Sequence, residues 1–313
     1  MKFISIIDFY SRNVNGMLDK QNYHLLPIKA AEELGYETEL WILDPDHPNT
    51  EIPENLKVKR VGHGAKYLYR LLKENDALIY ANTRILRTMV ACFFGNKTIF
   101  MNHTTEKPKK HSFAIKQLMK NFDKIRAVSE EEKQNLLELG IREDKIQIIP
   151  HTLDTEFWRK GKRDKDLDVV TVANVRELKN IDIIEKACRK LGLKLIVVGE
   201  NMSNQDIEVT GKKNPEEIRD YLQRAKVYVN SSDSEGLCLS VYEAIAAGLP
   251  VCLPNISTFK NINALFHEPK DIDKLAENIK KQIDNPIYHQ IPDHMKYDNV
   301  LDQFKNLIKA MEV

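Results

Sequence analysis

Two glutamates, Glu235 and Glu243, stand eight positions apart in the run Ser232-Asp233-Ser234-Glu235-Gly236-Leu237-Cys238-Leu239-Ser240-Val241-Tyr242-Glu243-Ala244-Ile245-Ala246-Ala247-Gly248-Leu249-Pro250-Val251. An apolar, strand-like segment (226–230) precedes this polar turn, and a helical pattern begins near Ser240. The small Ala244, Ala246 and Ala247 let that helix pack closely, and Gly248 ends it before Pro250. A helix starting just past a strand's carboxyl end directs unpaired N–H groups and a positive dipole end outward, which is a phosphate site made of backbone. Gly236 lets the main chain approach an anion with no Cβ in the way. Each glutamate also fits a plainer pattern: Ser232-x-x-Glu235 and Ser240-x-x-Glu243 are capping boxes, in which Glu satisfies a helix N-terminus and nothing more. Both together, around a glycine-containing turn and ahead of an alanine-rich helix, favour a ligand site.

The segment resembles the E-x7-E signature of retaining GT-B glycosyltransferases of the family 4 type. The resemblance implies that Glu235 contacts donor-sugar hydroxyls, that Glu243 holds the ribose diol, and that amides of Gly236, Leu237, Cys238 and Leu239 cradle a diphosphate. A second stretch, Val172-Ala173-Asn174-Val175-Arg176-Glu177-Leu178-Lys179-Asn180, carries two cations in a strand-to-helix loop. Cations there can meet a diphosphate and the charge that grows on it as a sugar leaves; a solvated loop is the plain alternative. It is similar to the family's Arg/Lys loop, which gives Arg176 and Lys179 phosphate-binding roles. His103, in Thr98-Ile99-Phe100-Met101-Asn102-His103-Thr104, sits at a strand's carboxyl end. A lone histidine is more often structural, but the family places one at the matching strand end, where it positions and polarises without attacking. Near the N-terminus the family's first loop carries paired glycines, whereas Ser11-Arg12-Asn13-Val14-Asn15-Gly16 holds one, Gly16, left to admit the phosphate. The segments 127–132 and 148–154 look like two further family segments, with His151-Thr152 where Asn-Gly is usual; His151 is therefore read as structural.

These residues need a scaffold that brings strand ends together. Apolar, β-rich runs at 2–8, 37–43, 77–81, 97–102, 124–128 and 145–149 alternate with helix-period segments, and a second series follows at 168–173, 194–198, 226–230 and 250–254. In the 181–191 segment Ile181, Ile184, Ala187, Cys188 and Leu191 share one helix face. Such alternation builds parallel, doubly wound sheets. The charged stretch 156–167 reads as a linker. The expected fold is α/β, with two Rossmann-like doubly wound domains facing each other across a cleft: an acceptor-side domain over 1–160 and a donor-binding domain over 161–297. The helix at 298–313, with Val300, Phe304, Leu307, Ile308 and Met311 on one face, is expected to pack back on the first domain.

Composition narrows the function classes. At 313 residues, 42% apolar and 30% charged, the chain is globular and long enough for two domains. No apolar run reaches the ~18 residues that span a bilayer. Cys92, Cys188, Cys238 and Cys252 form no C-x-x-C pair and no zinc spacing, which points to a reducing compartment, the cytoplasm. A net charge of +1 conceals an uneven distribution, with sixteen Lys and Arg against four Asp and Glu over 57–126. Lys107, Lys109, Lys110, Lys116, Lys120 and Lys124 surround Phe113, Ile115, Leu118 and Met119. Such a basic amphipathic stretch (107–126) either touches an anionic membrane, at its inner face, or packs its apolar side on its own sheet. Nucleic acid is not expected, because no reading motif accompanies the charge.

The resulting expectation is a retaining, metal-independent glycosyltransferase without cofactor. It takes a hexose-type sugar from a nucleoside-diphosphate donor, UDP- or GDP-linked, and passes it to a saccharide or lipid-linked acceptor by front-face displacement. No Asp-x-Asp stands in a suitable loop, Asp44-Pro45-Asp46 matching only in letters. The same fold admits a sugar-nucleotide 2-epimerase or a non-catalytic nucleotide-sugar sensor; a pyridoxal phosphate phosphorylase would need a longer chain.

Overall fold

The computed structural model describes residues 1–8, 25–44, 56–62, 64–74, 76–82, 91, 96–101, 117–161, 163–203 and 205–312. They gather into two compact units, Met1–Thr152 with Tyr297–Val313, and Leu153–Lys296.

The first unit is built on β1 (Lys2–Ile7), β2 (Glu37–Ile42), β3 (Val58–Arg60), β4 (Ala77–Asn82), β5 (Lys97–Met101), β6 (Lys124–Ala127) and β7 (Ile146–Ile148). All pair in parallel, in the order β3-β2-β1-β4-β5-β6-β7. This is the 3-2-1-4-5-6 Rossmann order with one strand added. The central strands are near-continuous apolar runs because both faces of a parallel sheet are covered: every residue of β4 is buried, as are Phe3 to Ile7 of β1. Helices α1 (Leu26–Glu33), α2 (Ala65–Leu72) and α3 (Glu130–Glu138) belong to this unit. Ser129 caps α3 by accepting from the Glu132 amide at 3.3 Å, while Glu132 Oε2 accepts from the Val128 amide at 2.9 Å. Of the basic stretch 107–126, residues 107–116 lie outside the described residues; Met119 and Phe122 further along are buried in the unit's own core.

The second unit carries α4 (Thr155–Arg159), then β8 (Leu167–Val172), α5 (Ile181–Leu191), β9 (Leu195–Val198), α6 (Pro215–Arg224), β10 (Ala225–Val229), α7 (Leu239–Ala246), β11 (Val251–Pro254), β12 (Leu265–His267) and α8 (Ile272–Asp284). The charged stretch read as a linker thus begins inside a helix, α4, whose Trp158 is buried; the carbonyls of Trp158 and Lys160 accept from Gln223 Nε2 at 3.1 and 3.0 Å. The five strands run parallel in the order β12-β11-β10-β8-β9. From β8 the chain passes through α5 to β9 on one side, and from β9 through α6 to β10 on the other. The strand order therefore reverses between β8 and β10, and ligands of doubly wound sheets bind at the carboxyl ends flanking such a point. Helix α5 buries Ile181, Ile184, Ala187 and Cys188, the face expected from their spacing.

After Lys296 the chain rejoins the first unit as α9 (Tyr297–Lys309), which buries Val300, Leu301, Phe304, Leu307 and Ile308 and packs on α1. Tyr36 donates to Glu312 at 2.6 Å, and Lys97 donates to the Met311 carbonyl. The Phe304 ring meets Tyr80 edge-on at 5.9 Å and lies under the Arg126 guanidinium at 5.0 Å. Arg126 is fully buried and donates to the carbonyls of Ile149 and Pro150 at 2.8 and 2.9 Å and to Tyr80 at 3.2 Å. It thereby joins the ends of three strands to α9.

Candidate functional site

The loop after β8 and the loop after β10 are stitched together at the reversal point of the second sheet. Asn180 takes a left-handed conformation (φ 48°, ψ 44°) immediately before α5, and its buried side chain donates from Nδ2 to the Ser231 carbonyl at 2.9 Å and to Asp233 Oδ1 at 2.8 Å. The Asp233 amide answers by donating to the Leu178 carbonyl at 2.9 Å. Across this seam Lys179 Nζ lies 2.6 Å from Glu235 Oε1. Ser232 Oγ donates to the same oxygen at 2.6 Å, as does Asn230 Nδ2 at 3.3 Å. Three donors thus converge on Oε1, while Oε2 has no hydrogen bond among the described residues. The carboxylate is 9% exposed and the lysine 28%. A carboxylate held by three donors at a buried position is fixed in direction, which a recognition group requires.

The turn that follows stores strain where a ligand would touch backbone. Its left-handed residue is Cys238 (φ 57°, ψ 70°), two positions after Gly236. A left-handed non-glycine costs about 1–2 kcal/mol. Of the four such residues among those described, three sit on loops at these strand ends: Asn180, Cys238 and Lys270, whose Nζ lies 3.5 Å from Asp233 Oδ2. Cys238 is the N-cap of α7 and gives it no side-chain cap. The amides at this helix tip are therefore not occupied by a capping side chain, the condition for a backbone anion site. Thr258 Oγ1 pins the turn by donating to the Glu235 carbonyl at 2.6 Å. Burial pushes the Cys238 thiol up to about 12, with Glu235 nearby adding to the effect, so it is protonated at neutral pH and contributes no nucleophile.

Both capping-box readings give way to this geometry. Ser232 bonds the Glu235 carboxylate itself, and no helix starts beside it. Ser240 lies inside α7 as its second residue, with Oγ 2.9 Å from Tyr228 OH. Glu243 is half-buried one turn into α7, on the face it shares with Leu239.

Arg176 is exposed, and its Nη2 reaches Met202 Sδ at 3.3 Å. Its side chain and that of Lys179 thus make separate contacts, though the Lys179 amide donates to the Arg176 carbonyl at 2.9 Å. Arg176, Glu177, Leu178, Met202, Ser203 and Gln205 line a recess of about 670 Å³ beside the seam. Leu178 and Met202 stand exposed on its rim, at 60% and 56%. Gly199 lets the chain after β9 lie against the chain after β8: a Cβ there would lie 2.3 Å from the Ala173 carbonyl oxygen. Gly16 and His103 fall outside the described residues. Among the described residues no group of three His, Cys, Asp or Glu side chains is gathered for a metal ion, and no helix is long and apolar enough to cross a membrane. Asn180, Asn230, Asp233 and Thr258 were not singled out from the sequence. Asn180 directly follows the candidate Lys179, and the Asn-Ser-Ser-Asp run after β10 carried the remaining signal.

Residues 153–299 match the family model of glycosyl transferases group 1, and residues 28–157 match that of glycosyltransferase family 4. HepE of Anabaena, solved in complex with UDP and glucose, superposes with a TM-score of 0.70, at 14% identity, over 99% of this chain and 95% of that one. The fold is GT-B. Among curated relatives of this GT-B chain, a phosphatidylinositol N-acetylglucosaminyltransferase subunit of Arabidopsis thaliana is 24% identical over 56% of this chain and 43% of its own length. The teichuronic acid biosynthesis glycosyltransferase TuaC of Bacillus subtilis, a putative assignment in its own name, is 30% identical over 54% of this chain and 46% of its own length. The chain thus spans less than half the length of these two relatives. The group 1 match contains the whole Lys179–Glu235 seam and α7.

Proposed function

We propose that the chain is a retaining, metal-independent glycosyltransferase of glycan biosynthesis. It moves a hexose-type sugar from a nucleoside-diphosphate donor, UDP- or GDP-linked, to a saccharide or lipid-linked acceptor. The observation that carries this reading is the Lys179–Glu235 pair, set at the strand reversal point beside a helix tip with no side-chain cap. Lys179 and Arg176 meet the donor diphosphate together with the amides of Gly236, Leu237, Cys238 and Leu239. Glu235 Oε2 accepts from a donor-sugar hydroxyl, Glu243 takes the ribose diol, and the recess rimmed by Leu178 and Met202 takes the base. Gly16 and His103 keep the roles that the family resemblance implies, admitting phosphate and polarising the sugar. A UDP-bound GT-B neighbour supports the donor class, and relatives whose names carry phosphatidylinositol and teichuronic acid support the acceptor classes.

In the proposed reaction the anomeric carbon–phosphate oxygen bond breaks on the face where the acceptor oxygen forms its new bond. The acceptor's hydroxyl proton passes to the departing phosphate oxygen. Lys179, Arg176 and the helix-tip amides absorb the negative charge as it develops, and removal of one such contact typically costs ~10²-fold in rate. The enzyme would act in the cytoplasm, peripherally at the inner membrane face when its acceptor is lipid-linked. The test is release of free nucleoside diphosphate from a panel of UDP- and GDP-sugars, with and without saccharide and lipid-linked acceptors. Acceptor-dependent release with product of unchanged anomeric configuration is expected. Conversion of the donor sugar without any acceptor would replace this reading with epimerisation, and binding without turnover would replace it with sensing.

A further inference from the structure

Helix α2 divides into three sectors. At about 100° per residue, Tyr67 and Leu71 fall together and are buried, at 4% and 0%. Ala65, Leu68, Tyr69 and Leu72 fall within an arc of about 100° on the outward side. Leu68, Tyr69 and Leu72 are 39%, 59% and 53% exposed, three of the large apolar side chains that this chain leaves in water. Lys66, Arg70 and Lys73 fill the narrow sector between these and the core. None of the three cations has a carboxylate partner within ion-pair distance among the described residues, and Lys73 Nζ instead lies 4.3 Å over the Tyr69 ring. The nearby Glu74 is already engaged, by Lys2 at 2.8 Å and Lys59 at 3.4 Å. An exposed apolar stripe bordered by these cations thus lies within the 57–126 region, where Lys and Arg outnumber Asp and Glu sixteen to four.

From this juxtaposition we infer that α2 is a docking element for an anionic phospholipid surface: Leu68, Tyr69 and Leu72 enter the headgroup boundary while Lys66, Arg70 and Lys73 meet lipid phosphates. Charge and area choose this occupant. A second copy would bring the same three cations against these. An eight-residue helix, about 12 Å long, offers far less than the ~800 Å² per partner of a stable protein interface. Membrane contact, by contrast, sums small apolar and electrostatic increments, each Lys or Arg contributing about a fivefold gain near an anionic surface. The inference extends the reading of a lipid-linked acceptor but stands on side chains outside the donor site.

Flotation of the full chain with vesicles of phosphatidylcholine, alone or mixed with phosphatidylglycerol, tests it without any donor. The wild-type chain is expected to float with the mixed vesicles and to be released by salt. Lys66→Gln/Arg70→Gln/Lys73→Gln lowers partitioning about a hundredfold, and Leu68→Ser/Leu72→Ser about tenfold, with unchanged circular dichroism. Because both native tryptophans, Trp41 and Trp158, are buried, Tyr69→Trp is a clean reporter whose emission should shift to the blue on mixed vesicles. Equal flotation of all variants, or no blue shift, overturns the assignment. So does an α2-dependent dimer in sedimentation without vesicle binding. Turnover on a soluble saccharide acceptor should be unaffected by the triple substitution, so failure of the transferase reading and failure of α2 docking are told apart.

Discussion

Lys179 and Glu235 come from loops 56 positions apart in sequence, yet Nζ and Oε1 are 2.6 Å apart. The pair is only partly shielded from water, so its Coulombic contribution to stability is modest. In the proposed function its value lies in orientation, since it leaves one carboxylate oxygen and the remaining ammonium protons for the donor. Lys179→Ala and Glu235→Gln are each expected to lower kcat/KM by about 100-fold or more. The double variant should lose less than the product of the two, because each side chain holds the other. Steady-state kinetics on the best donor checks this; turnover within twofold of wild type for either variant removes both residues from the site.

In the proposed reaction Arg176, Lys179 and the helix-tip amides neutralise the leaving diphosphate, so no divalent cation is required. Prolonged EDTA treatment followed by desalting is therefore expected to leave the initial rate unchanged, and added magnesium or manganese should not raise it. A metal-dependent rate would overturn the metal-independent reading and call for a different account of the leaving group.

Cys238 offers a test of stored strain. Cys238→Ala keeps the left-handed backbone and loses the thiol, whereas Cys238→Gly relieves the conformation. The glycine variant should be more stable than the alanine variant by about 1 kcal/mol in urea unfolding. With its thiol pushed up to about 12, Cys238 should also resist iodoacetamide at neutral pH, read by mass spectrometry.

The division between what could be read from sequence and what could not follows from physics. Ten of the twelve strands among the described residues lie on apolar runs, whereas β3 and β12 are edge strands of three residues, too short to show one. The Glu235–Glu243 spacing and the Lys179 loop were visible because turn chemistry and helix starts are local. The seam through Asn180, Ser231 and Asp233 was not, since it exists only when β8 and β10 become neighbours across an intervening strand and two helices. Likewise nothing local marks Cys238, a non-glycine residue, as the left-handed position of the turn. On α2, which apolar residues stay in water depends on where Tyr67 and Leu71 pack, and that is a tertiary fact.

Gly199 should tolerate no side chain. With φ at 153° and a Cβ position 2.3 Å from the Ala173 carbonyl oxygen, Gly199→Ala must push apart the ends of β8 and β9. A loss of about 3 kcal/mol or more in stability is expected, along with weaker donor binding through the displaced recess. Calorimetric unfolding and nucleoside-diphosphate titration measure the two effects.

Glu132 should make stability pH-dependent in the direction opposite to an ordinary ion-paired carboxylate. Burial raises its carboxyl to about 7, while the Val128 amide and the Arg126 charge act against that rise and Glu131 adds to it. Between the ordinary glutamate value near 4.5 and about 7, the folded state holds a proton that the unfolded chain has released. Stability from this group is thus full below about pH 4.5 and is lost as pH rises through about 7. Glu132→Gln keeps an acceptor for the Val128 amide and abolishes the titration. It should gain about 3 kcal/mol over wild type near pH 8, and that advantage should vanish near pH 4. Urea unfolding of both proteins at the two pH values decides it: parallel pH profiles would mean that Glu132 is charged throughout, with Arg126 close enough to compensate its burial.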